Sequence, residues 1–141
     1  MPDKFFWDSN LWVYLNTESQ DAGDMGKKRL LEKRFLTTFN IVISAQVINE
    51  LANVLFKKYQ QSEAEIKGRL EQILLQVEVV ALSEDLTLQA LDLKSRYQIS
   101  WYDSLIVAAA LSADCQFLYT EDLQDGLLIE GRLQVVNPFN L

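Results

Sequence analysis

The sequence predicts an α/β domain with a parallel sheet, and three observations carry that prediction. Short apolar runs alternate in regular order with longer amphipathic ones, the pattern of strands joined by crossover helices. The short runs are apolar at consecutive positions, as strands mostly covered on both faces require. Acidic and hydroxyl residues recur just after these runs, at the strand ends outside which such sheets bind ligands.

The expected strands are Phe5-Phe6-Trp7, Ile41-Val42-Ile43, Val79-Val80-Ala81-Leu82, Phe117-Leu118-Tyr119 and Leu133-Gln134-Val135-Val136. Helices are expected over 10–16, 24–37, 45–59, 63–76, 84–97 and 101–113. Three of them carry start signals: Ser62 with Glu65 in a capping-box pattern, Ser83 before Glu84-Asp85, and Ser100 three residues before Asp103. The last helix poses a problem. At 100° per residue Asp103 shares a face with Ile106, Val107 and Ala110, so its carboxylate follows an apolar stripe. A carboxylate so directed is costly unless a local cap or a metal compensates it. The 141 residues show no repeat and no linker, and they are expected to form one domain over 1–141.

Composition excludes much chemistry. Histidine is absent, which removes imidazole-based nucleophilic and general-base schemes. Cys115 is the only cysteine, so neither an internal disulfide nor a thiolate metal cage is expected. No run is long enough to span a bilayer and the start MPDKFFWD lacks a signal-peptide layout, so the cytoplasm is the expected location. The net charge of −7 argues against a nucleic-acid binder, yet five of the thirteen basic residues crowd into 27–34. That segment reads either as a solvated helix face or as a phosphate-contacting patch.

Four acids deserve individual reading. Asp8 ends a strand, where N-capping is ordinary work. Glu50 sits at the flank of an apolar face made by Val47, Leu51, Val54 and Leu55, as a half-exposed helix glutamate would. Asp103 fits the acidic position of a cap at Ser100. Asp122 in Thr120-Glu121-Asp122 fits a polar turn. Taken together, four acids at one sheet edge would repel one another unless protons or cations intervene. Oxygen-only ligands select hard ions, Mg²⁺ or Mn²⁺, which support phosphodiester hydrolysis without histidine. Trp12, Trp101 and Tyr102 read as packing residues or as base-stacking ones.

The segments "FFWDSNLWVY", "ISAQVINELANVL", "SWYDSLIVAAAL" and "LYTEDLQDG", with the closing "RLQVVNPF", resemble in order and spacing the PIN-domain family, in particular its VapC-type toxin ribonucleases. The resemblance implies a three-layer α/β/α sandwich with a mostly parallel five-stranded sheet in the order 3-2-1-4-5. It implies that Asp8, Glu50, Asp103 and Asp122 hold Mg²⁺ (or Mn²⁺) and act in catalysis, with Ser9, Asn10 and Thr120 in support and Asp125 as a further acid. It also implies an RNA substrate, a homodimer and an antitoxin protein as partners. A haloacid-dehalogenase-type phosphotransferase is disfavoured, because Asn10 stands where a second aspartate is needed and no lysine follows Lys94. No G-x-G-x-x-G follows the first strand, which removes a dinucleotide fold. The remaining alternative is a non-catalytic interaction or RNA-binding module on the same fold.

Overall fold

The apolar runs pair side by side into one sheet. The computed structural model describes residues 2–140. In chain order the elements are β1 (Phe5–Trp7), α1 (Ser9–Leu15), α2 (Ala22–Thr37), β2 (Ile41–Ser44), α3 (Ala45–Lys57), α4 (Glu63–Leu74), β3 (Glu78–Val80), α5 (Glu84–Tyr97), α6 (Trp101–Ser112), β4 (Phe117–Tyr119), β5 (Leu128–Ile129), β6 (Leu133–Val136) and a 3₁₀ turn at Pro138–Asn140. All six expected helices form, with ends displaced by at most two residues. Each start signal acts as expected. Ser62 and Glu65 make a reciprocal capping box, Ser83 caps α5 through the Leu86 N–H, and Ser100 caps α6 through the Asp103 N–H.

The strand order is β3-β2-β1-β4-β6-β5. The first five of these are mutually parallel and reproduce the expected order, with β6 as the expected last strand. The sheet has six strands instead of five because β5 turns back antiparallel to β6. Two residues are too few to show a hydrophobic period. The signal lies in the three-residue turn 130–132 between the paired Ile129 and Leu133, where Glu130 and Gly131 both have positive φ (51° and 68°). Glycine takes that conformation freely. Glu130 is held there from α5: its N–H donates to the Tyr97 hydroxyl (2.8 Å), which donates back to its carboxylate (2.9 Å), and Arg96 pairs with the same group. A second difference concerns β3. It was expected to be mostly buried, yet Glu78 and Val79 are exposed and Val80 is only half-buried, because β3 is the outermost strand.

Right-handed crossovers send the connections β1–β2–β3 over one face of the sheet and β3–β4 over the other. Accordingly α1 to α4 pack among themselves, while α5 packs on α6. Residues Ile106 to Leu111 of α6 are buried all round, as a helix between two apolar layers must be. Three consecutive alanines, Ala108 to Ala110, keep that layer thin. The chain moves one way from β1 and the other way to β4, so the strand order reverses between them. Ligands of open α/β sheets bind at that reversal, beyond the strand ends. Among the described residues no helix is long and apolar enough to cross a membrane.

Candidate metal centre

The residue after β1 is Asp8. Its extended backbone makes it the N-cap of α1, and Oδ1 accepts the Ser9 N–H at 2.7 Å. Its other oxygen accepts the Thr120 hydroxyl at 2.8 Å. Thr120 follows β4, is fully buried, and its Oγ1 also accepts the Asp122 N–H at 3.1 Å. One hydroxyl thus ties Asp8 and Asp122 together across the strand reversal. Asp103 arrives from the first turn of α6. Its N–H is capped by Ser100 at 3.1 Å, but its carboxylate does not return to Ser100 and has no hydrogen-bond partner among the described residues. One carboxylate oxygen from each of Asp8, Asp103 and Asp122 lies within 4.8 Å of the others. Capping of α1 and α6 is therefore compatible with the convergence of these carboxylates: Asp8 caps α1 through one oxygen, and the Asp103 N–H is capped while its carboxylate is left without a partner.

Glu50 is not one of the three. It stands beside them, accepting the Ser9 hydroxyl at 2.7 Å and the Gln46 side-chain amide at 2.6 Å. Ser9 therefore links Asp8 to Glu50. Gln46 was not singled out in the sequence, although its position four residues before Glu50 on α3 puts both on one helix face. It is buried, and its Oε1 lacks a partner. The Asn10 amide is likewise buried with neither atom hydrogen-bonded. Asp125 lies outside the group: its carboxylate accepts the Asn137 N–H at 2.8 Å and tethers the turn to the chain leaving β6.

Charge is not neutralised at this edge. Burial drives the Asp8 carboxyl up to about 6, the hydrogen bonds from Thr120 and Ser9 oppose the shift, and the charges of Asp122 and Glu50 add to it. Asp122 is raised as well, first by burial, then by the charges of Asp103 and Glu121. Asn10, facing it without closing a hydrogen bond of ordinary geometry, opposes this. None of the ion pairs among the described residues includes Asp8, Glu50, Asp103 or Asp122. The donor set is oxygen only, three carboxylates converge, and a buried amide beside them is unsatisfied. These features fit a hard divalent cation such as Mg²⁺ or Mn²⁺.

A groove of roughly 590 Å³ runs from Ser9 and Asn10 past Tyr14 to Lys28, Arg29 and Lys58. The basic segment divides in two. Lys27 pairs with Glu121 and Lys28 with Glu18, whereas Arg29, Lys33 and Arg34 form no ion pair among the described residues. Of the three aromatics, Trp12 is core, Trp101 is partly buried against it, and Tyr102 beside Asp103 is 66% exposed.

The sequence model of the PIN domain matches residues 5–124. No curated protein matches the chain. Among solved structures, a toxin–antitoxin complex from Klebsiella pneumoniae aligns with a TM-score of 0.69 and 22% identity over 96% of this chain and 98% of that one. VapC20 of Mycobacterium tuberculosis, a toxin that cleaves the sarcin–ricin loop, aligns with a TM-score of 0.67 and 18% identity, covering 84% of this chain and 92% of its own. VapBC2 from Rickettsia felis, bound to a DNA fragment from its promoter, aligns with a TM-score of 0.63 and 19% identity over 94% and 98%. At these identities the likeness is one of fold.

Proposed function

The chain belongs to the PIN domain family, and from that premise we propose that it is a metal-dependent endoribonuclease acting at Asp8, Glu50, Asp103 and Asp122. The observation that carries the reading is the convergence of three carboxylates within 4.8 Å with no cationic side chain among them. When bound, Mg²⁺ or Mn²⁺ would supply an activated water and charge stabilisation on the phosphoryl oxygens. The protein's part is to hold its oxygens in place. Asp8 is fixed by the Ser9 N–H and the Thr120 hydroxyl, and Asp122 by its N–H on Thr120. Glu50 is oriented by Ser9 and Gln46 beside the three, where its carboxylate can receive a proton. The unsatisfied Asn10 amide is suited to hydrogen-bond water or a phosphate oxygen there.

Within the basic segment, Arg29, Lys33 and Arg34 stand outside the ion pairs and are available to RNA phosphates, and the exposed Tyr102 offers a ring to a base. The structural likeness to toxins of toxin–antitoxin pairs supports the same role here, with an antitoxin and a second copy of the chain as partners in a single-domain protein. The test is thermal unfolding at pH 7.5 in EDTA and then in millimolar Mn²⁺, for the wild type and Asp103→Asn, followed by cleavage of a structured RNA. The proposal expects a Mn²⁺-dependent rise in Tm and Mn²⁺-dependent cleavage in the wild type alone. Cleavage that persists in EDTA would sink it. Metal binding without cleavage of any RNA would favour the interaction-module reading.

A further inference from the structure

Glu121 immediately precedes Asp122 in the turn after β4, yet its carboxylate is spent elsewhere. The Tyr14 hydroxyl donates to one of its oxygens at 2.7 Å, and the Lys27 ammonium donates to the other at 2.9 Å. Lys27 also donates to the Tyr14 hydroxyl at 3.2 Å, closing a three-membered ring of contacts. The ammonium lies over two rings, 5.2 Å from the centre of Tyr14 and 4.9 Å from that of Phe139, and these rings meet edge to face at 5.7 Å. The Glu121 side chain keeps only 22% of its exposure and that of Lys27 only 36%.

This differs from an ordinary surface ion pair, which holds two flexible chains weakly. Both oxygens of Glu121 are engaged, the cation is roofed by aromatic faces, and four separate segments meet: α1, α2, the turn after β4 and the C-terminal 3₁₀ turn. The turn is thereby fixed twice. Thr120 anchors it to Asp8 on one side, and Glu121 anchors it to α1 and α2 on the other. With Glu121 so engaged, Asp122 is the acid of this turn that stands with Asp8 and Asp103.

We propose that Lys27 and Tyr14 form a latch that captures Glu121 and so positions Asp122 for metal binding. The inference rests on the reading of Asp122 as a metal ligand. It makes Lys27, Tyr14 and Glu121 positioning residues that act through Asp122, and it gives Lys27, from the basic segment, a role apart from RNA contact.

The experiment compares Lys27→Met, Lys27→Arg, Glu121→Gln and the Lys27→Met/Glu121→Gln double variant with the wild type, all as the full chain. Two quantities are read: amide hydrogen exchange of residues 120–126 in EDTA, and Mn²⁺ affinity by calorimetric titration. Lys27→Met and Glu121→Gln should each speed exchange in that turn and weaken Mn²⁺ binding by about 10-fold, within the range of an outer-shell partner. Lys27→Arg should restore most of both. The double variant should be no weaker than either single one, since one latch is broken only once. Should Lys27→Met fail to fold, Glu121→Gln carries the comparison, because it removes the charge that pairs with Lys27 with little change of shape.

Wild-type Mn²⁺ affinity in Lys27→Met and Glu121→Gln would overturn the latch while leaving the metal site standing. Tighter binding in Lys27→Met with weaker binding in Glu121→Gln would also overturn it, by making Glu121 a ligand that Lys27 restrains. A wild type that binds no Mn²⁺ brings down the metal reading and the latch with it.

Discussion

The two edges of the parallel sheet treat charge in opposite ways. Where the strands begin, acids meet bases: Lys4 before β1 pairs with Glu78, Arg132 before β6 with Asp114, and Arg96 with Glu130 in the β5–β6 turn. Where they end, Asp8, Asp103 and Asp122 meet with no base, and Glu50 stands beside them. The same chain neutralises the acids of one edge and leaves Asp8, Asp103 and Asp122 at the other repelling one another, even though Glu121 beside them is paired with Lys27. Uncompensated acids at a strand-order reversal lower stability unless a cation supplies the missing positive charge. The beginning edge is the internal control.

The largest effect should come from removing a charge at the unpaired edge. Asp103→Asn keeps the N–H that Ser100 caps and alters only a carboxylate with no partner of its own. The fold should survive, while Mn²⁺ affinity falls by more than the roughly 10–100-fold typical of an outer-shell partner. The wild type at 100 times its Kd should gain about 2.7 kcal/mol from the metal, and the variant almost none at that concentration. Equal Tm shifts in the two proteins would erase the distinction between the edges.

The next effect is a reversal with pH. The Asp8 carboxyl titrates at about 6 in the fold and near 3.8 in the unfolded chain. Between those values the folded state holds the proton that the unfolded state has released. Metal-free stability from this group is therefore full at low pH and is lost as pH rises through the window. The loss amounts to about 3 kcal/mol at 1.36 kcal/mol per unit. Metal binding requires the ionised form, so saturating Mn²⁺ should add stability with rising pH over the same window. Asp8→Asn should flatten both curves. Denaturant titrations from pH 4 to 7.5 in EDTA and in Mn²⁺ decide it, and parallel slopes under the two conditions would contradict a metal at this edge.

Much of this edge was legible because its signals are local. Asp8 after an apolar strand and Asp103 three residues past Ser100 declare themselves by position, and α6 by its unbroken apolar run. The engagement of Glu50 by Ser9 joins residues 41 apart, and the capture of Glu121 by Lys27 joins residues 94 apart. No period or cap encodes such contacts; they exist only once the strands are in register. The hairpin strand β5 escaped for the opposite reason, being too short for any pattern beyond the glycine in its turn. Asp125 shows that proximity in sequence misleads as well: three residues from Asp122, it serves a backbone N–H instead.

A smaller effect separates the cations by their partners. If Arg29, Lys33 and Arg34 contact RNA, replacing all three by glutamine should make the slope of log affinity against log salt less negative by about 2, at roughly 0.7 per phosphate on a single strand. Binding measured with Asp103→Asn as the background avoids cleavage of the RNA. Replacing Lys28, already paired with Glu18, should change the slope less than any one of the three. A slope indifferent to the triple change would leave α2 as a solvated face.

The smallest effect belongs to the beginning edge. Asp114 has a side chain 82% exposed and meets Arg132 at 3.3 Å, a distance and setting in which screening removes most of the attraction. Asp114→Asn should move stability by less than about 0.5 kcal/mol, as exposed surface changes do, and should leave Mn²⁺ affinity unchanged. The charge removed is the same as in Asp103→Asn, and both residues are connected to α6, one within its first turn and one just past its end. Only the surroundings differ: a base and solvent at one end, two carboxylates at the other. If the two variants proved equally silent toward Mn²⁺, the absence of a cation paired with Asp8, Asp103 and Asp122 would be an accident of surface charge. If only Asp103→Asn responds, the asymmetry of the sheet is the functional feature of the molecule.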